Sequence, residues 1–279
     1  MTSTQHKKEF LKVFNTLCTS RMAWQVWADW ISAVACSMSI AADRDKDRFE
    51  QRTKEFRDSV KRIGDTEKAQ KLFDIMIDAF EEDPGQDFLG DIYMELGLGS
   101  HWHGQFFTPI SICRMMASIT MDESMERLAE ERWISVNDPA CGAGATLIAA
   151  AENYRKKGIN YQQRVLFVGQ DIDRVAAQMC YIQMTILGCP GYVIVANTLT
   201  NPATGPALWP QQKPDQEYWF TVMFTKNDVW QFRRMMYMTD LQIRRAKEVR
   251  ETATVSPSIP EEGRMFIFTF HEKEVCDAG

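Results

Sequence analysis

The sequence predicts an α/β protein, a Rossmann-like parallel sheet in residues 100–279 preceded by a helical module in residues 1–99. Three observations carry this. From Trp133 onward, short apolar runs alternate with helical stretches, the order of a wound βαβ sheet. The first run ends in Asn137-Asp138-Pro139-Ala140-Cys141-Gly142-Ala143-Gly144-Ala145-Thr146, a glycine turn that joins a strand to a helix N-terminus and lets backbone approach a ligand. Before residue 100, apolar positions recur at helical spacing.

In chain order, Phe10, Val13, Phe14 and Leu17 mark a helix, and Trp24, Val26, Trp27, Trp30, Ile31 and Val34 form a broad apolar face. These tryptophans read as core rather than as base-stacking platforms. Asp43 to Arg62, dense in both charge signs, reads as a solvated helical face or a helix connection. Glu81-Glu82-Asp83-Pro84-Gly85 marks a break before Phe88 to Met94. A loop from Gly97 leads into a helix beginning near Pro109 or Ile110. His101 and His103, set against Cys113 or Cys141, raise a metal reading, but no carboxylate pair or CxxC accompanies them and no metal site is expected.

Beyond the glycine turn, the pattern predicts a helix over Thr146 to Lys156, a strand over Val165 to Val168, a helix over Arg174 to Leu187 and a strand over Tyr192 to Val195. Asp138, Asp171 and Asn197 follow successive strands, where ligands of parallel sheets sit. Thr198 to Pro214 reads as loop, Tyr218 to Phe224 as a fourth strand, and Met265 to Phe270 as a closing strand. Arg233 to Glu251 reads as a charged helix and the best local basic surface.

Composition sets limits. The net charge of -6 gives no global basic field, so a nucleic-acid partner requires a local patch or another subunit. Seven scattered cysteines without a CxxC pair suit a reducing compartment, no signal-peptide pattern is visible, and Ile31 to Ala42 is too short to span a bilayer. A cytoplasmic protein is expected, without membrane association.

The glycine turn lacks the lysine of a phosphate-cradling loop, having Ala145-Thr146 instead, and Leu147 stands where a dinucleotide fingerprint has its third glycine. Asp138 at the strand end disfavours a pyrophosphate and favours a cationic or hydroxyl-bearing ligand. S-adenosylmethionine, with its ammonium and sulfonium, fits.

Three sites together resemble the adenine-specific DNA methyltransferase family typified by the modification subunits of type I restriction systems. Gly104-Gln105-Phe106-Phe107-Thr108-Pro109 is similar to that family's first cofactor motif, Asp138 to Gly144 to its glycine-rich motif, and Gly169-Gln170-Asp171-Ile172 to its acidic motif. Their order matches, and the Trp-rich helices with Asp87-Phe88-Leu89-Gly90 resemble shorter, phage- or mobile-element-associated members. The resemblance covers residues 10 to 200 and implies the methyltransferase form of the Rossmann-like fold. It implies S-adenosyl-L-methionine as cofactor, DNA as partner, transfer to the exocyclic amine of adenine, and a possible specificity or target-recognition subunit.

By that resemblance Gln105, Phe106, Phe107, Thr108 and Pro109 lie against the methionine end of the cofactor. Asp138, Pro139, Ala140, Cys141, Gly142 and Gly144 wrap the same end, and Asp171, followed by Ile172, accepts the ribose hydroxyls. Asn197 stands where the family has an aspartate reading the adenine amino group. The family's Asn/Asp-Pro-Pro-aromatic motif, which holds a flipped-out base, is absent. Asn227 and Trp230 keep its amide-to-aromatic spacing after the fourth strand and are the expected catalytic pair. An alternative expectation is a catalytically degenerate cofactor-binding subunit that needs a partner. A third is methylation of protein or RNA.

Overall fold

A computed structural model describes residues 2–43, 45–100 and 106–254 of the chain. Met1–Met236 form one compact unit and Tyr237–Gly279 a second. The first begins with helices α1 (Ser3–Leu17), α2 (Ala23–Ala42), α3 (Lys46–Ile63), α4 (Thr66–Glu82) and α5 (Phe88–Glu95), followed by a single 3-10 turn at Leu98–Ser100. Local chemistry sets their ends. Asp45, Asp65 and Asp87 cap α3, α4 and α5 by accepting amides three residues on, and Gly64 ends α3 in the left-handed region at φ +78°.

Then come α6 (Ile110–Ile119), α7 (Met121–Glu130), β1 (Ile134–Asp138), α8 (Ala145–Lys156), α9 (Tyr161–Arg164), β2 (Val165–Asp171), α10 (Arg174–Ile186), β3 (Gly191–Val195) and β4 (Glu217–Phe220). The sheet has the order β1-β2-β3-β4. The first three strands are parallel, with Asp138 opposite Gly169 and Asp171 opposite Val195, so the loops carrying the acidic residues leave one end of the sheet. The fold is thus of the expected α/β class, a sheet preceded by helices.

One hydrophobic core joins these layers, running from Phe10, Trp27 and Trp30 through Leu89 and Ile182 to Phe167 and Trp219. The helices of residues 1–99 and the sheet are therefore parts of one compact unit. Trp27 and Trp30 are buried in edge-to-face packing with Phe10, as core tryptophans should be. The charged stretch from Asp43 departs from a solvated face at one point. Arg52 is buried, stacked 3.4 Å from the Trp219 ring centroid, and paired with Glu217. Glu217 and Glu55 share Arg174; burial opposes their charges, but the Arg174 hydrogen bonds outweigh it and hold both carboxyls below the usual range.

The fourth strand differs from expectation in length and direction. It ends at Phe220 and runs antiparallel to β3, with Phe220 opposite Tyr192 and Glu217 opposite Val195. A parallel strand needs a long crossover, usually helical, and residues 196–216 contain no helix, so the chain turns back at the same end of the sheet. Buried Gln170 pins this loop by donating to the Ala196 and Asn201 carbonyls and accepting from the Ala203 amide. Two helices follow, α11 (Val222–Lys226) and α12 (Asp228–Thr254). Arg233 and Arg234 of the expected basic surface stack on Trp230 and Phe224. In the second unit Arg244 pairs with Asp240 at 2.8 Å. The expected strand Met265 to Phe270 lies outside the described residues. No helix among the described residues is long and apolar enough to cross a membrane.

Candidate functional site

The site is built on the loop between β1 and α8. Asp138 turns the chain out of β1 by accepting the Ala140 amide at 3.0 Å, and the Cys141 amide donates to the Gln170 carbonyl at 3.0 Å. Gly142 and Gly144 take φ +52° and +98°. At both, space is also tight. A Cβ on Gly142 would lie 3.0 Å from the Phe107 ring, and one on Gly144 would lie 2.9 Å from Cys180 Sγ. The side chain of Cys141 is buried beside Gly169, where an added Cβ would meet the thiol at 3.1 Å.

Gly142 is where the separate motifs meet. Phe107, from the loop before α6, rests its ring on Gly142 and stacks on Tyr93 with centroids 5.2 Å apart. Asp171, at the end of β2, accepts the Gly142 amide at 2.8 Å through one carboxylate oxygen and the Asp173 amide at 2.8 Å through the other. Burial pushes the Asp171 carboxyl up despite these two bonds. Asp173 caps α10 by accepting from Val175 and Ala176. Beyond β3, Asn197 accepts the amides of Leu199 and Thr200, and the Thr198 hydroxyl donates to the Pro139 carbonyl, which ties the third loop to the glycine loop.

Other predicted residues fall around this junction. Pro109 caps α6, Thr108 and Pro109 are exposed, and so are Pro139 and Ala140. Phe106, Ile172 and Leu199 leave large apolar side chains in solvent, at 78%, 65% and 92% exposure, each in a motif loop. Isolated exposed apolar residues need no explanation, but three on adjoining ligand-end loops suit a surface that a ligand covers. Gln105, His101 and His103 lie outside the described residues. Among the described residues no group of three or more His, Cys, Asp or Glu side chains is arranged to hold a metal.

Asn227 and Trp230 are not part of this junction. Because β4 is antiparallel, its end leads to the start of β3, where Thr221 exchanges hydrogen bonds with Gly191. Asn227 accepts the Val229 amide at 3.0 Å at the start of α12. Trp230 is fully buried, its indole N–H donates to the Gln162 carbonyl at 2.7 Å, and its ring packs edge-on against Trp133, which precedes β1. Both therefore lie at the end of the sheet opposite the glycine loop, and the expected catalytic pairing is corrected: a sealed indole cannot stack on a base.

A residue that the motifs do not indicate also reaches the junction. Gln183, fully buried in α10, donates to the Ala143 carbonyl at 2.8 Å and to Asp87 Oδ1 at 2.7 Å. The only signal in the sequence is a lone amide inside the apolar run Ile182-Gln183-Met184, where a polar group must find partners.

Residues 85–222 match the family model described as N-6 DNA Methylase. The chain is 31% identical over 106 residues to the type II methyltransferase M.MamI of Microbacterium ammoniaphilum, over 36% of this chain and 29% of that protein. It is 27% identical over 88 residues to the type I restriction enzyme MjaIX methylase subunit of Methanocaldococcus jannaschii, over 32% of this chain and 14% of that subunit. The chain thus spans less than a third of the length of either relative. Among solved structures, it is similar to the type I restriction-modification system methyltransferase subunit of Streptococcus thermophilus, with 16% identity, a TM-score of 0.39, and coverage of 77% of this chain and 61% of that one. The Phe-Thr-Pro, glycine-rich and acidic motifs all fall, in that order, within residues 85–222, the span over which the chain is similar to the N-6 DNA methylases.

Proposed function

We propose that this chain binds S-adenosylmethionine at the β1–α8 loop and serves methylation of the exocyclic amine of adenine in DNA. The observation that carries the reading is the convergence on Gly142 of Phe107, the glycine loop and Asp171. The residues fit the group. Two glycines let Phe107 and Cys180 close on the loop, and a half-buried carboxylate at the end of β2 retains lone pairs for paired hydroxyls. When bound, the cofactor would supply an electrophilic methyl that an amine nitrogen can accept, the sulfonium sulfur leaving as a neutral thioether.

The residues divide that work. The Asp138 to Gly144 loop and the turn at Phe107, Thr108 and Pro109 hold the methionine end, and Asp171 orients the ribose with Ile172 alongside. Asn197 already uses its carbonyl oxygen within its own loop, so it offers its NH2 to a purine nitrogen rather than an acceptor to the purine amine. A second reading is a cofactor-binding subunit that methylates only with a partner, such as a specificity or target-recognition subunit. Burial of Trp230 at the far end of the sheet favours it, because the Asn227 and Trp230 pair is then not placed at the glycine loop to hold the acceptor.

Calorimetric titration with S-adenosylmethionine and S-adenosylhomocysteine tests the cofactor assignment. Wild type is expected to bind both, and Asp171→Ala to bind neither measurably; a wild type that binds neither ends it. Labelled cofactor with duplex DNA separates the two readings, since robust transfer by the isolated chain rules out dependence on a partner.

A further inference from the structure

We propose that Gln183 and Asp87 are positioning residues that hold the glycine loop in its ligand-ready form, an inference that deepens the cofactor reading and rests on it. Gln183 lies in the most deeply buried stretch of α10, between Ile182 and Met184. A buried side-chain amide is costly unless its donors and acceptor are all used. Here they are: Nε2 donates to Ala143 O and Asp87 Oδ1, and Oε1 accepts the Leu89 amide at 3.1 Å.

The bond to Ala143 is the one that bears on the site. Ala143 lies between the two positive-φ glycines, a stretch that has the most conformational freedom in the loop. Its carbonyl is held by Gln183, and the N–H of the same peptide group, on Gly144, donates to Cys141 O at 2.7 Å. Both ends of that planar unit are therefore fixed. Asp171 fixes the amide of Gly142 in the same way. Gln183 thus does for one side of the loop what Asp171 does for the other.

Asp87 sets Gln183. Its carboxylate is buried, caps α5 through the Gly90 amide at 3.0 Å, and accepts from Gln183 with the same oxygen. A Cβ at residue 90 would lie 2.1 Å from Asp87 Oδ2, so any residue but glycine there would displace this carboxylate. The N-terminus of α5, the middle of α10 and the glycine loop are joined by one amide, which couples the helical layer to the site.

The test uses the full chain and compares Gln183→Met, Asp87→Ala and the conservative Asp87→Asn, whose carbonyl can still accept from both Gly90 and Gln183. Hydrogen exchange is followed in the loop peptide and in β2, and S-adenosylhomocysteine affinity is measured beside the urea midpoint. Gln183→Met and Asp87→Ala are expected to speed loop exchange selectively over β2 and to weaken binding about tenfold, the scale of one lost hydrogen bond. The double variant is expected to be no worse than either single in affinity, and Asp87→Asn to stay near wild type. If Gln183→Met does not fold, Gln183→Asn, too short to reach Ala143, takes its place. Loop exchange at the wild-type level, or loop and β2 exchange rising together in step with the urea midpoint, overturns the proposal. A wild type that binds no cofactor defeats the functional reading, while loop exchange still decides the positioning role.

Discussion

Gly144→Ala isolates the physical demand that the site places on its own backbone. Its φ of +98° is in the left-handed region, where alanine incurs a cost of about 1–2 kcal/mol. The added methyl would also lie 2.9 Å from Cys180 Sγ and 3.3 Å from both Cα and Cβ of that residue, inside the core, and overpacking of this kind costs about 1–3 kcal/mol. The sum, about 2–5 kcal/mol, is a large share of the stability of an ordinary domain. Gly158 provides the control, with φ +76° and nothing within 4 Å of an added Cβ, so Gly158→Ala carries the backbone cost alone. Urea unfolding of both variants separates the two effects. Adding Cys180→Ala to Gly144→Ala should recover only the sulfur contact, because the Cα and Cβ contacts and the φ remain. A Gly144→Ala loss no greater than that of Gly158→Ala would refute the close approach of α10 to the loop.

Further outcomes follow from the same contacts. Trp230→Ala should destabilise by about 3–5 kcal/mol and leave cofactor affinity unchanged, as calorimetry beside urea unfolding would register; a selective loss of binding would restore a role for it at the site. Burial raises the Asp87 carboxyl to about 6, despite the opposing Gln183 hydrogen bond, from an ordinary value of 3.8. Between these values the folded chain holds a proton that the unfolded chain releases, so this group's contribution to stability falls as pH rises from about 4 to 6, by at most about 3 kcal/mol. The difference between wild type and Asp87→Asn in urea midpoint across that range measures it, and a flat difference would contradict the burial of the carboxylate.

Much of the site was legible because its chemistry is local. A glycine needing positive φ, an acidic residue at a strand end and a Phe-Thr-Pro turn are each readable in a few letters, and the order of the strands placed Asp138, Asp171 and Asn197 at one end of the sheet. What was not legible depends on direction and depth. An amide three residues before an aromatic looks the same whether its strand runs up or down, and the missing crossover between residues 196 and 216 was the only sign that β4 turns back. Arg52 stands in a charged run that reads as solvated because Trp219, its stacking partner, is far away in sequence. Gln183 was obscured in the same way, since its three partners come from two distant segments.

The strand order also bears on how the molecule opens. β1 forms a ladder with β2 alone, and among the described residues nothing pairs with its other edge. Its neighbour β2 is held on both sides and buried along nearly its whole length, whereas β1 leaves Asn137 exposed and is completely buried only at Ile134. Partial unfolding should begin at β1 and take the glycine loop with it, leaving β2, β3 and α10 intact. Free energy gained by a ligand at the loop would then close that local opening before it added to the stability of the whole unit.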